Sequence, residues 1–122
     1  MNKNLVITSF LGALTIILGA FGAHALQETL SIGELKSFET AVRYQMYHVL
    51  VLLFVNTYSK FSLKTKNVIT YLFLVGILFF SGSIYAITFG ISTNFIWFIT
   101  PLGGLFLILG WLKMTLAYLK KE

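Results

Sequence analysis

Phe38-Glu-Thr-Ala-Val-Arg-Tyr-Gln-Met-Tyr-His-Val-Leu-Val-Leu-Leu53 opens polar and closes wholly apolar. It carries Arg43, the single arginine of the chain, and His48, one of two histidines. Around it charge is scarce: of 122 residues, 57% are hydrophobic and 11% charged, and the mean hydropathy is +0.86. A water-soluble domain is roughly one quarter charged, so this composition leaves too little polar surface to coat a globule. The sequence reads as a chain solvated by lipid, with the quoted stretch as its one polar entry into the apolar layer.

Working outward, the apolar runs predict four spans, at about residues 5–23, 41–58, 68–89 and 95–116. Each is close to the roughly 20 residues that cross a bilayer, and together they leave no room for a separate soluble domain. The first run also has signal-peptide features: Lys3 ahead of it and Ala23-His24-Ala25 behind. It exceeds the length of an apolar signal core, and further spans follow it, so a retained helix is the expectation. Ser9, Gly12, Ala13, Ile16, Gly19, Ala20 and Ala23 form a small-residue stripe on that helix, suited to close packing in lipid. Before the second span, Ser31 and Glu34 have the spacing of a capping box, which predicts a short interfacial helix leading into it.

Charge placement agrees with four crossings. Lys3, the loop with Lys60, Lys64 and Lys66, and the terminal Lys113, Lys120 and Lys121 belong on one side. The first loop, with Glu28, Glu34 and Glu39 against the single Lys36, and the uncharged segment 90–94 belong on the other. The positive-inside rule assigns the lysine side, with both termini, to the cytoplasm. The expected fold is all-α: a four-helix transmembrane bundle with antiparallel neighbours in the plasma membrane. The net charge of +5 is then a topology signal. No polar stretch is long enough for a basic, aromatic-interleaved nucleic-acid face. With no cysteine there is no thiolate site or thiol nucleophile.

Helical rise of about 1.5 Å per residue puts His48 roughly 10–15 Å into the outer half of the layer. Tyr44, Gln45 and His48 share one face, which should look into the bundle because lipid cannot satisfy it. Ser81, Ser83 and Tyr85 on the third span, and Thr100, Pro101, Gly103 and Gly104 on the fourth, reach a similar depth. Pro101 removes the helical partner of the Trp97 carbonyl. An outward-facing polar pocket is therefore expected, lined by His48, Tyr44, Gln45, Ser81, Ser83, Thr100 and Pro101. Arg43, Glu39 and His24 would stand at its mouth, with Glu39 and Arg43 spaced for an ion pair. The competing expectation is that these groups only hold helices together. A metal or haem site from His24 and His48 matches no established ligand spacing, and no paired acids accompany His48 as a base; no cofactor is expected. Aromatic residues near span ends, among them Tyr58, Phe61, Phe95, Trp97, Trp111 and Tyr118, read as interface belts, and the Phe-rich interiors as lipid-facing bulk.

Gly19-Ala-Phe-Gly-Ala-His-Ala-Leu26, Thr40-Ala-Val-Arg-Tyr-Gln-Met-Tyr-His48, Phe80-Ser-Gly-Ser-Ile-Tyr85, Thr100-Pro-Leu-Gly-Gly104 and Gly110-Trp111 follow one another in a pattern that covers nearly the whole chain. It resembles a family of small membrane proteins, domain of unknown function 423 or uncharacterised protein family 0382, which includes the transmembrane protein 256-like proteins. Phe38 stands where that pattern commonly has Trp. The resemblance implies a four-span plasma membrane protein and implies no activity. The reading is a non-enzymatic membrane protein whose outer pocket holds a small amphiphile or lipid headgroup. The alternatives are an accessory subunit of a larger membrane complex and a small transporter acting as a homo-oligomer.

Overall fold

The computed structural model describes residues 2–120; Lys121, counted above with the lysine side, lies outside them. Four long helices, α1 (Lys3–His24), α2 (Ile32–Thr57), α3 (Leu63–Thr88) and α5 (Ile99–Leu119), alternate in direction, with a single turn α4 (Thr93–Ile96) before the last. The pairings show the alternation. Asn4 meets Asn56 and Thr15 meets Gln45 across α1 and α2. Ala41 meets Ser81 and Asn56 meets Thr70 across α2 and α3. Phe73 meets Gly110 and Gly76 meets Leu107 across α3 and α5. In each pair, residue numbers rise on one helix as they fall on the other.

Caps decide the ends. Ser31 and Glu34 form the expected capping box: the Ser31 hydroxyl accepts from the Glu34 N–H, and the Glu34 carboxylate accepts from the Ser31 N–H, both at 3.1 Å. These bonds hold the Glu34 carboxyl below its usual range, the backbone bond first and the hydroxyl second. The helix that starts there does not stop at the interface. It runs without a break through Thr57, so α2 begins nine residues before the expected span and is about 39 Å long by helical rise. Ser62 caps α3 through the Thr65 N–H, which moves Lys64 and Lys66 from the loop onto the first turns of a helix. At the far end of α3, Gly90 with φ 107° closes a Schellman turn: its N–H bonds the Ile87 carbonyl, and that of Ile91 bonds Ala86. The last span is split at Trp97–Phe98, where the Trp97 carbonyl lacks the N–H that Pro101 cannot supply. Pro101 itself sits in the first turn of α5, where a missing donor is tolerated.

Buried positions recur at alternating spacings of three and four, the signature of coiled-coil-like packing. On α2 they include Phe38, Ala41, Gln45, His48, Leu52 and Val55. On α5 they are Gly103, Leu107, Gly110, Met114 and Ala117. On α1 they are Thr8, Thr15 and Gly22, seven apart. The small stripe expected to pack is thus offset: Ser9, Ala13, Ile16, Ala20 and Ala23 face outward, while Gly12 and Gly19 border the α2 contact.

The apolar core lies among α2, α3 and α5, with Leu52, Val55, Ile69, Phe73, Ile77, Leu107 and Met114 at its centre, and α1 contributes nothing to it. Phe73 is fully buried rather than lipid-facing, and Phe61 joins the core with Tyr58 and Tyr118 against it. The outer faces are apolar in the opposite sense. Val6, Phe10, Ile16 and Ile17 on α1, and Leu105, Ile108, Leu112 and Leu116 on α5, are exposed. Water would not tolerate so much continuous apolar surface; hydrocarbon would. Three helices are long and apolar enough to cross a membrane: Lys3–His24, Leu63–Thr88 and the α4–α5 unit Thr93–Leu119. The molecule is an all-helical membrane bundle.

Candidate functional site

The polar residues picked from the sequence do converge, but most of them are spent on one another. Trp111 donates its indole N–H to His48 Nε2 at 3.1 Å. Indole can only donate, so Nε2 accepts and the His48 proton sits on Nδ1, which donates to the Tyr44 carbonyl at 2.6 Å. The imidazole is therefore fixed as a neutral tautomer, with Phe73 and Trp111 edge-on around it. Neither ring nitrogen is left for a metal. Trp111, expected as a belt residue and partly exposed, also links α5 to α2. Tyr44, a partly exposed residue, stacks its ring on Phe80, sets it at a tilt to the His48 ring, and gives the cluster its backbone carbonyl.

Gln45 joins three helices. Its amide donates to Thr15 Oγ1 at 2.8 Å and to the Leu11 carbonyl at 3.4 Å, and its oxygen accepts from the Tyr85 hydroxyl at 2.7 Å. Ser81 donates to the Ala41 carbonyl at 2.7 Å. Ser83 bonds Thr100 across α3 and α5 and also reaches the Phe80 carbonyl. Buried in hydrocarbon, each such link contributes on the order of 0.6 kcal/mol. At the lysine end a second cluster, which the sequence reading missed, does the same. Asn4 donates to Asn56 and Asn67, and Asn56 donates to Thr70 and to the Leu52 carbonyl. The signal for it was Asn56, an amide closing the apolar run of α2.

Glu39, Arg43 and His24 are different: all three are exposed at the end opposite Lys3, Lys60, Lys64 and Lys66. Glu39 and Arg43, although one helical turn apart, do not form the expected ion pair. Arg43 donates instead to Thr40 Oγ1 at 3.2 Å, and the Glu39 carboxylate has no partner among the described residues. Both line a recess of about 180 Å³ on the α1–α2 seam, floored by Gly19, Gly22, Phe38 and Val42. A second, apolar recess of about 440 Å³ continues down the same seam along Thr15, Ile16, Ala20, Met46 and Tyr47. The two share Gly19, Val42 and Arg43. The groove exists because Gly19 offers no side chain to fill it: a Cβ there would stand 3.5 Å from Val42. His24 does not line either recess. The site is a charged notch above a greasy furrow, displaced by one seam from the pocket expected around His48.

Comparison with known proteins places the chain among relatives. The family described as "Protein of unknown function (DUF423)" matches residues 18–104. A UPF0382 membrane protein of Haemophilus influenzae is 35% identical over 99% of this chain and 97% of its own length. One from Staphylococcus epidermidis is 40% identical over 90% and 93%. The UPF0382 inner membrane protein YgdD of Escherichia coli is 30% identical over 95% and 88%. No solved structure matches. The matched segment runs from the glycine side of the seam through Arg43 and His48 to Gly104, and with relatives aligned nearly end to end the chain belongs to the DUF423 family of membrane proteins.

Proposed function

We propose that this is a non-enzymatic, multi-pass plasma membrane protein that holds a membrane lipid in the α1–α2 seam. One observation carries the reading: a guanidinium with no acidic partner among the described residues, at the junction of two recesses, with charge above and apolar surface below. That order of surfaces is the order of groups along an amphiphile. Arg43 lies where its stem can follow the furrow while the charge stays near the headgroups. The positive-inside rule puts the lysine end in the cytoplasm, so the notch opens on the outer side. The E. coli relative, named an inner membrane protein, supports a plasma membrane setting. We count α2 as the fourth crossing: it is long enough, and Gln45, His48 and Asn56, the polar side chains along its apolar run, are buried.

His48, Gln45, Ser81, Ser83, Thr100 and Pro101 then serve the site by fixing the helices, while Glu39 and Arg43 face the ligand. The test is lipid retained through purification in mild detergent, counted by native mass spectrometry. Wild type should keep a lipid that Gly19→Leu does not, the leucine growing into both recesses from a position where an added Cβ meets only Val42, at 3.5 Å. A variant that keeps its lipid refutes the site. The accessory-subunit reading has its own support in the outward Ser9, Ala13, Ala20 and Ala23 face of α1. Stoichiometric recovery of a larger membrane partner that Ala13→Leu abolishes would favour it.

A further inference from the structure

The seam reading above leaves the headgroup open, and the notch narrows it. Resting on that reading, we propose that the ligand is a phospholipid whose zwitterionic headgroup carries a primary ammonium, the ammonium at Glu39 and the phosphate at Arg43.

The charged groups lining the notch are one acid and one base. Four residues apart on a helix, with the acid N-terminal, they have the spacing that favours mutual pairing, yet they stay apart. Arg43 spends a single described bond, on Thr40, and keeps the rest of its fork free; Glu39 is bonded to nothing described. Two opposite charges held side by side but unjoined complement a ligand that carries the same two charges in one short headgroup. A guanidinium fork takes two phosphate oxygens at once. A primary ammonium has three N–H donors to give a carboxylate.

Other headgroups satisfy half of this. A glycerol or other anionic headgroup gains Arg43 and meets the repulsion of Glu39. A choline headgroup has the right charges but no N–H to donate. A serine headgroup adds a second carboxylate beside Glu39. The furrow continuing below the notch supplies the other half of the ligand's requirement. From Ala20 to Thr15 it descends about 7.5 Å along α1 by helical rise, lined by Ile16, Met46 and Tyr47, which suits the upper part of one acyl chain.

The experiment titrates the full chain in detergent with phosphatidylethanolamine, phosphatidylcholine and phosphatidylglycerol of identical acyl chains, and reads bound lipid by native mass spectrometry. Wild type should prefer the ethanolamine lipid by roughly tenfold, the scale of hydrogen bonds to a charged group. Glu39→Gln should erase the preference over choline while leaving phospholipid bound. Arg43→Gln should weaken all three. Equal retention of ethanolamine and choline lipids, preference for glycerol, or a preference untouched by Glu39→Gln would overturn the headgroup assignment and leave the seam site standing. Failure of wild type to retain any of the three would overturn the seam site itself.

Discussion

Helices α3 and α5 are zipped together, whereas α1 and α2 are latched. Across the first pair, Gly76 admits Leu107, Gly110 admits Phe73, and Gly103 lies against the backbone at Phe79 and Phe80. Across the second pair, Gly22 alone is filled, by Phe38, while a Cβ added at Gly12 or Gly19 would stand an ordinary 3.5 Å from Val49 or Val42. The helices there are held by Gln45 and by the Asn4–Asn56 pair, and furrows remain alongside. In lipid, where apolar burial gives little net drive between helices, close backbone approach and hydrogen bonds are the two available fasteners. Close approach dominates between α3 and α5, where Ser83–Thr100 is the added bond, and hydrogen bonds dominate between α1 and α2, where Gly22 is the one close approach. Close packing leaves no space; latching by a few polar bonds does, and the space is where the unpaired charges are.

The contrast predicts unequal responses to the same small change. Gly103→Ala would put a methyl into the Phe79–Phe80 backbone, which cannot swing aside as a side chain can. Overpacking of this kind costs roughly 1–3 kcal/mol, and the upper end is expected here, seen as a large drop in thermal midpoint in detergent. Gly19→Ala should be nearly silent. Equal responses would remove the distinction between the seams.

A smaller effect is expected at the link between α2 and α5. His48→Ala leaves the Trp111 N–H and the Tyr44 carbonyl without their partner. A loss of about 2 kcal/mol follows from two membrane hydrogen bonds and a small cavity. A double-mutant cycle with Trp111→Phe should return a coupling of about 0.6–1.7 kcal/mol. Bound lipid should be unchanged in molecules that remain folded. If His48→Ala kept full stability and lost its lipid, the histidine would belong to the site and not to the scaffold.

The smallest effect concerns the cap at the mouth of α2. Glu34 is held below its ordinary carboxyl range by bonds that exist in the folded chain. Its contribution is therefore complete above the unfolded carboxyl value and is lost as pH falls through the folded one. Glu34→Gln keeps a capping-box residue and should flatten that acid limb of the stability profile. A profile identical to wild type would show that the box does not hold in solution.

Much of this was legible in the chain and some was not. Composition and lysine placement predict a membrane bundle because they report on the solvent, and Ser31 with Glu34 predicts a helix start because a cap is local. The family resemblance covers the same ground. What the linear pattern cannot report is which of two adjacent stripes on α1 packs: Thr8, Thr15 and Gly22, one position from the small-residue stripe, are selected by the complementary surface of α2. Nor does spacing alone reveal that Trp111 turns inward to His48, since an indole is equally at home in an interface. Glu39 and Arg43 have the spacing of an ion pair that does not form; Arg43 bonds Thr40 instead.

The central claim is that the latched seam, rather than lipid-exposed surface in general, holds a ligand. The most direct test compares two fillings of the molecule's furrows at one collision energy in native mass spectrometry. Gly19→Leu fills the α1–α2 seam, and Gly82→Leu projects into the apolar groove between α1 and α3, where only Leu78 lies within 4 Å of an added Cβ. Loss of retained lipid from the first and not the second is the predicted result; equal retention by both, or loss from Gly82→Leu alone, would contradict it.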